Sequence, residues 1–382
     1  MLTQTEPEQQ LVQAPAVRSS RRARRALTVA AGVAVVLLLF PAVSIGRVLS
    51  APGTDSVSAR LSEWARDHRL GGAVTWLERR TYRPPKVGGT PPATSPLGGQ
   101  RTASSAGPPA AVAGPALPLP VRPLATPALS GEGGWHVLTR VSGRPAIAAA
   151  YLRPDAIHTS YVAGVVWINP RLVSAQLHPG TLDPGGTGWA GSTSLSAGRR
   201  AGLLAAFNSG FRLTASHGGF YLAGRHAGHL RPGAASMVFG RNGSLTVGTW
   251  NRDVRLTPDV LAVRQNLALL VEGGRITPGV DSDAGVWGAT LGNAKYVWRS
   301  GIGVRRDGGV VYVAGNRLTA RSLAELLLRG GCTRAMELDI NPAWTSFILY
   351  PPKERNLLPD MQGSPRRYDT VSSRDFVALY AR

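Results

Sequence analysis

Apolar and polar positions divide this chain into four stretches of different character. Residues 1–25 carry no apolar period and end in Arg18, Arg21, Arg22, Arg24 and Arg25, which reads as a basic tail. Ala26 to Gly46 then runs for 21 positions without a charge. At about 1.5 Å per residue this reaches roughly 31 Å, the hydrocarbon thickness of a bilayer. The arginines before it predict a single-pass anchor with the N-terminus cytoplasmic and the remainder outside. A cleaved signal peptide, with Ala42 and Ser44 as small residues near the cut, is the alternative.

Over 47–80, a cap at Asp55 or Ser56 followed by Val57, Leu61 and Trp64 predicts a short amphipathic helix. It would lie on the headgroups or pack on the main domain. Residues 81–130 hold 12 of the 29 prolines and no acidic residue, the composition of a semi-extended, unpacked linker.

From 131 to 382 the pattern changes to short apolar runs punctuated by turns. Asn242-Gly243, Gly273-Gly274 and Asp307-Gly308 each separate two such runs and predict hairpins. One helix stands out. Leu323, Leu326 and Leu327 form its stripe, Ser322 and Glu325 its capping box, and Gly330-Gly331 its end. A second is expected near Ser196, and a strand over Arg334–Ile340. Hairpins with few helices predict an α+β domain built on a mixed, largely antiparallel sheet.

Composition narrows the chemistry. Cys332 is the single cysteine, so a disulfide scaffold and a cysteine-based zinc site are excluded, and outside the cytoplasm it is expected as a packed core thiol. The chain has 43 Lys+Arg against 22 Asp+Glu, a net charge of +21. A basic chain suits nucleic acid, anionic lipid or an anionic polymer. An extracytoplasmic domain argues against nucleic acid.

In the strand Arg334–Ile340, Glu337 and Asp339 share one face and make a candidate acid–base pair. Arg299 lies on the face of Gly301 and Gly303, where small neighbours leave room for a phosphate held bidentately. Asn208, Ser209 and Gly210 end an apolar run, and His217 follows near Gly218-Gly219. These are candidate substrate contacts. His217, His226 and His229 match no standard zinc spacing, and Asp281 and Asp283 fit a solvated loop, so neither metal nor cofactor is expected.

Several stretches, in order, resemble the phosphodiester glycosidases, the group of the lysosomal uncovering enzyme. AAFNSGFR is similar to that family's "NGGFF" segment, and WRSGIGVRRDGGVVYVAG to its "PRTAIG" strand and hairpin. SLAELLLRGGCTRAMELD is similar to the helix and strand that lead to its "LDGGGS". The resemblance spans roughly 135–350 and extends to membrane-anchored bacterial members. It implies cleavage of a sugar-1-phosphodiester, or a phosphorylated glycan, to sugar and phosphomonoester. It carries over Asn208, Gly210, Arg299 and Asp339. Arg299 would neutralise phosphate, Asp339 would be the acid or base with Glu337 its partner, and Asn208 would orient the substrate. Ser209 replaces a family glycine, and Ile340-Asn341-Pro342-Ala343 replaces "GGGS". A non-catalytic module binding anionic envelope polymers is the alternative function.

Overall fold

A computed structural model describes residues 24–29, 41–51, 53–98, 117–282, 284–288 and 294–382. Met1–Ala51 and Pro52–Arg382 form separate units. In the first, 24–29 and 41–49 are helical. Residues 30–40 of the expected anchor, and Asp283, lie outside the described residues. Among the described residues no helix is long and apolar enough to cross a membrane.

The second unit is built on three sheets. The largest has eight strands in the spatial order His136–Val141, Arg144–Leu152, Ala163–Ile168, Val310–Leu318, Val297–Arg305, Cys332–Glu337, Leu269–Glu272 and Arg275–Ile276. A five-stranded sheet runs Arg225–Ala227, Phe220–Leu222, Val260–Gln265, Ala235–Gly240, Leu245–Thr249. The third runs Arg355–Asn356, Phe347–Leu349, Leu203–Asn208, Phe376–Ala381, Val173–His178. Every ladder between these strands is antiparallel, so the α+β expectation holds in a more uniformly antiparallel form.

The three predicted hairpins form where the turn residues stand. Gly243, Gly273, Gly274 and Gly308 all take positive φ, which a side chain would resist. The helix is Ala320–Arg329. Its cap lies one turn earlier than expected, at Thr319, whose hydroxyl accepts from Ser322 N (3.0 Å) while Ser322 Oγ accepts from Thr319 N (2.8 Å). Near Ser196 only a 3-10 turn, Ala197–Arg199, forms before the chain enters strand Leu203–Asn208.

The large sheet is buried on both faces. One face meets the other sheets in a core that includes Phe207, Phe220, Met237, Tyr312 and Phe347. The other is covered by Leu323, Leu326 and Leu327 of the helix, with Cys332 beneath it as a packed thiol. Burying each leucine contributes about 1.5–3 kcal/mol. Double coverage explains why strand Ala163–Ile168 is apolar throughout and does not alternate.

Two expectations about the flanking segments change. The stretch expected as an unpacked linker is partly packed: Leu97 joins the main core, and Val121, Ala125 and Leu129 are buried. Its free carbonyls attract buried Arg153, which donates to Pro127 O (2.6 Å) and pairs with Glu132 (2.7 Å). The region after the expected anchor forms two helices, Val57–Asp67, capped by Ser56, and Gly71–Thr81. The first of these packs on the domain through its acidic residues.

Candidate active site

Strand Leu203–Asn208 runs out at Asn208 between two neighbours, Phe347 opposite Phe207 and Phe376 opposite Asn208. That register sets four loop segments around one point. Strand Cys332–Glu337 ends there too, since Asp339 N donates to Ser209 O (3.0 Å). The result is a small cavity lined by Asn208, Ser209, Gly210, Asp339, Trp344, Arg367, Tyr368, Ser372, Arg374 and Asp375. It has room for about one water.

Asp339 is held by its own loop. Its carbonyl accepts from Ser300 Oγ (2.8 Å) and Thr345 Oγ1 (3.2 Å). One carboxylate oxygen accepts from Asn341 N (3.0 Å), the other from Arg374 Nη2 (2.8 Å). Burial pushes its pKa up from the usual carboxylate range, opposed by Arg374. The Ile340–Ala343 replacement is therefore a tight turn. Asn341 supplies the donor to Asp339 and accepts from Ala343 N (2.9 Å), so Pro342 withholds no N–H that Asp339 uses.

Arg374 bridges several acids. Besides Asp339 it reaches Glu63 Oε1 from Nη1 (3.1 Å) and lies 3.9 Å from Asp183 Oδ2. Fully buried Arg264 continues the chain of charges, to Asp375 (2.8 Å) and Asp183 (3.3 Å). Arg367 donates to Ala343 O (2.6 Å) and to Asp55 Oδ1 (3.0 Å). Both Arg367 and Arg374 stack on the Trp344 ring, at 4.9 and 5.4 Å from its centroid. Three guanidiniums thus face five carboxylates. Burial pushes the carboxyls of Asp183 and Glu63 upward, opposed by Arg264 at the first and Arg374 at the second.

Three polar atoms at this cavity have no hydrogen-bond partner: Ser209 Oγ, Trp344 Nε1 and Arg374 Nε. Buried polar atoms are rarely left so.

The structure separates the predicted site residues into two groups. Asp339, Asn208, Ser209 and Gly210 come together in the cavity. Asn208, however, has its amide filled by Ser300 Oγ (2.9 Å), Ser209 O (3.1 Å), Tyr312 OH (3.0 Å) and Ser346 N (3.0 Å). It therefore fixes the strand ends and has no valence left for a sugar.

Arg299 and Glu337 are absent from the cavity lining. They pair with each other beneath the helix, and Arg299 also donates to Leu318 O (3.2 Å) and Trp287 O (3.0 Å). Burial pushes the Glu337 carboxyl up to about 7 against the attraction of Arg299. Gly301 and Gly303 do not make room for a ligand. A Cβ on Gly301 would meet Leu327 Cδ1 at 3.0 Å, and one on Gly303 would meet Cys332 Sγ at 2.6 Å, so Gly301 admits the helix and Gly303 the neighbouring strand. Glu337 and Asp339 are both buried, with partners on different sides of the sheet end. His217 is exposed, in the left-handed conformation that ends the short helix Leu213–Ser216, and does not reach the cavity. Asp281 pairs with Arg321.

Sequence reasoning missed Arg374, Arg367, Trp344, Asp375, Arg264 and Asp183. The one signal for Arg374 and Asp375 is a pair of opposite charges directly before the apolar run FVALY, where a solvated side chain would be the default.

No curated protein sequence matches the chain. Among solved structures it is similar to the zebrafish N-acetylglucosamine-1-phosphodiester alpha-N-acetylglucosaminidase catalytic domain auto-inhibited by pro-peptide. The identity is 14%, covering 65% of this chain and 87% of that one, with a TM-score of 0.43. It is also similar to a hypothetical protein from Synechocystis, at 15% identity, covering 63% of each chain, with a TM-score of 0.37. Over residues 201–339, the stretch that supplies Asn208, Ser209, Gly210 and Asp339 to the cavity, the chain matches the phosphodiester glycosidase family.

Proposed function

We propose that the protein is a hydrolase of glycosyl phosphodiesters, releasing a sugar and a phosphomonoester. The observation that carries this reading is the pairing of Asp339, a buried carboxyl with raised pKa, with Arg374 in a cavity that Ser209, Trp344 and Arg367 also line. In this reading Arg374 holds the substrate phosphate, the role the sequence suggested for Arg299. Asp339 is the general acid. Its proton passes to the phosphate oxygen as the bond from that oxygen to the anomeric carbon breaks. Water supplies hydroxyl to the carbon and releases its proton to solvent. A phosphate anion beside Asp339 favours the protonated carboxyl, so substrate binding prepares the acid it needs. Asn208 and Arg264 position the strand ends that carry Ser209 and Asp375. The apolar run 26–46 would anchor the chain in the cell membrane, with Pro52–Arg382 outside the cytoplasm.

The test is sugar release from sugar-1-phosphodiesters by the purified full chain. Activity abolished by Asp339→Asn and by Arg374→Ala, with both variants folded, is the expected result. Full activity in both variants would sink the assignment.

A further inference from the structure

The helix Val57–Asp67 and the residue before its cap meet the domain through three acids, each paired with an arginine, two of which, Arg367 and Arg374, line the cavity. Asp55 pairs with Arg367 (3.0 Å) and also accepts from Ser373 Oγ (2.9 Å). Glu63 pairs with Arg374 (3.1 Å), and Asp67 with Arg212 (2.8 Å). Helical rise puts Glu63 and Asp67 about 6 Å apart along the axis, and Asp55 stands just before the N-cap at the other end of the helix. Arg367 and Arg374 are buried and stacked on Trp344, so they are held in place whatever anion they meet. Trp344 Nε1 has no hydrogen-bond partner with the helix present, and Arg374 Nε has only the 3.9 Å ion pair to Asp183, so the helix carboxylates do not complete the site. A helix is a poor fit to such a surface unless it stands in for something longer and more anionic.

We propose that Arg367, Arg374 and Arg212 form a track of three anion subsites for a polymeric phosphodiester, a chain with a phosphate in every repeat, and that the acidic helix occupies this track as a self-ligand. The proposal rests on the function proposed above and names its substrate class. Arg374 would take the phosphate beside Asp339, while Arg367 and Arg212 hold the neighbouring phosphates on either side. Polymer and helix compete for the same guanidiniums, so the helix sets a threshold that a single phosphate is too weakly held to pass.

The test uses the full chain and needs no turnover, so it can fail separately from the hydrolase reading. Binding of long-chain inorganic polyphosphate, inorganic orthophosphate and phosphatidylglycerol vesicles is measured against salt. Polyphosphate is expected to bind at least 100-fold tighter than orthophosphate, with a log–log salt slope of about −2 to −3, each phosphate contact contributing about 0.7–0.9. Asp55→Asn/Glu63→Gln/Asp67→Asn in one chain removes the competing carboxylates and is expected to tighten polyphosphate binding about tenfold or more. Arg212→Gln is expected to lower the slope by about one. Circular dichroism and thermal melts confirm that each variant is folded. Equal affinity for the two phosphates, no gain in the triple variant, or binding to the vesicles alone would each overturn the proposal.

Discussion

Two arginine–carboxylate pairs lie near one strand end, and they differ in what they have left to give. Arg299 and Glu337 are sealed beneath the helix, and the guanidinium is further committed to Leu318 O and Trp287 O. Arg374 and Asp339 line a cavity, and Arg374 keeps Nε without a hydrogen bond and shares Nη1 with a glutamate from a separate helix. The buried pair ties three neighbouring strands to the Trp287 segment, and the cavity pair can exchange partners. Two carboxylates two positions apart in sequence thereby acquire different duties.

The comparison breaks most sharply at Asp339. Asp339→Asn removes the proton donor and is expected to lower sugar release by about 10²–10⁴, with little change in the unfolding midpoint. Truncating Glu337 should show the opposite profile if the two pairs are as different as their contacts. Glu337→Ala strands a buried guanidinium and is expected to cost about 3–5 kcal/mol in urea unfolding. Rate loss beyond the loss of folded protein would place Glu337 in the chemistry after all.

Gly303→Ala tests why the strand is small beside Arg299. Its Cβ would press on Cys332 Sγ and Ala335 Cβ, and a loss of about 1–3 kcal/mol is expected. Unchanged stability would reopen that face to a ligand. Trp344→Phe keeps a ring under the two guanidiniums but removes Nε1. A several-fold rise in KM, equivalent to about 1 kcal/mol, is expected.

The two pairs also separate by pH. The Glu337 pKa is raised on folding, from 4.5 to about 7. Within that window the unfolded chain has already lost the proton that the native chain retains. The contribution of Glu337 is therefore complete below about 4.5 and is lost as pH rises through about 7. Glu337→Gln should flatten stability over that range. Asp339 is also raised by burial, so sugar release should fall as pH rises and its proton is lost. That limb should persist in Glu337→Gln.

Local chemistry made much of this legible in the sequence. Asn242-Gly243 and Asp307-Gly308 allow positive φ between two apolar runs, and hairpins form at both. Leu323, Leu326 and Leu327 share a helix face, and that face is buried. Asp339 was marked by its place at a strand end, and the structure puts it in the cavity. The reading failed where partners came from far along the chain. Arg299 looked available because its occupying carbonyls, at Trp287 and Leu318, belong to other segments. Nothing in the sequence marks Arg367 and Arg374, because no periodicity describes a loop side chain.

The sequence by itself determined the elements: the turns, the covering helix, the antiparallel hairpins and the carboxylate at the strand end. These follow from dihedral preference and from apolar spacing over a few residues. Tertiary structure alone decided which charges are spent and which are free. That depends on the register that sets Phe376 against Asn208, and on the helix that brings Glu63 and Asp55 to the guanidiniums. A side chain's remaining hydrogen-bonding capacity is a property of everything packed around it, and no run of neighbouring residues encodes it.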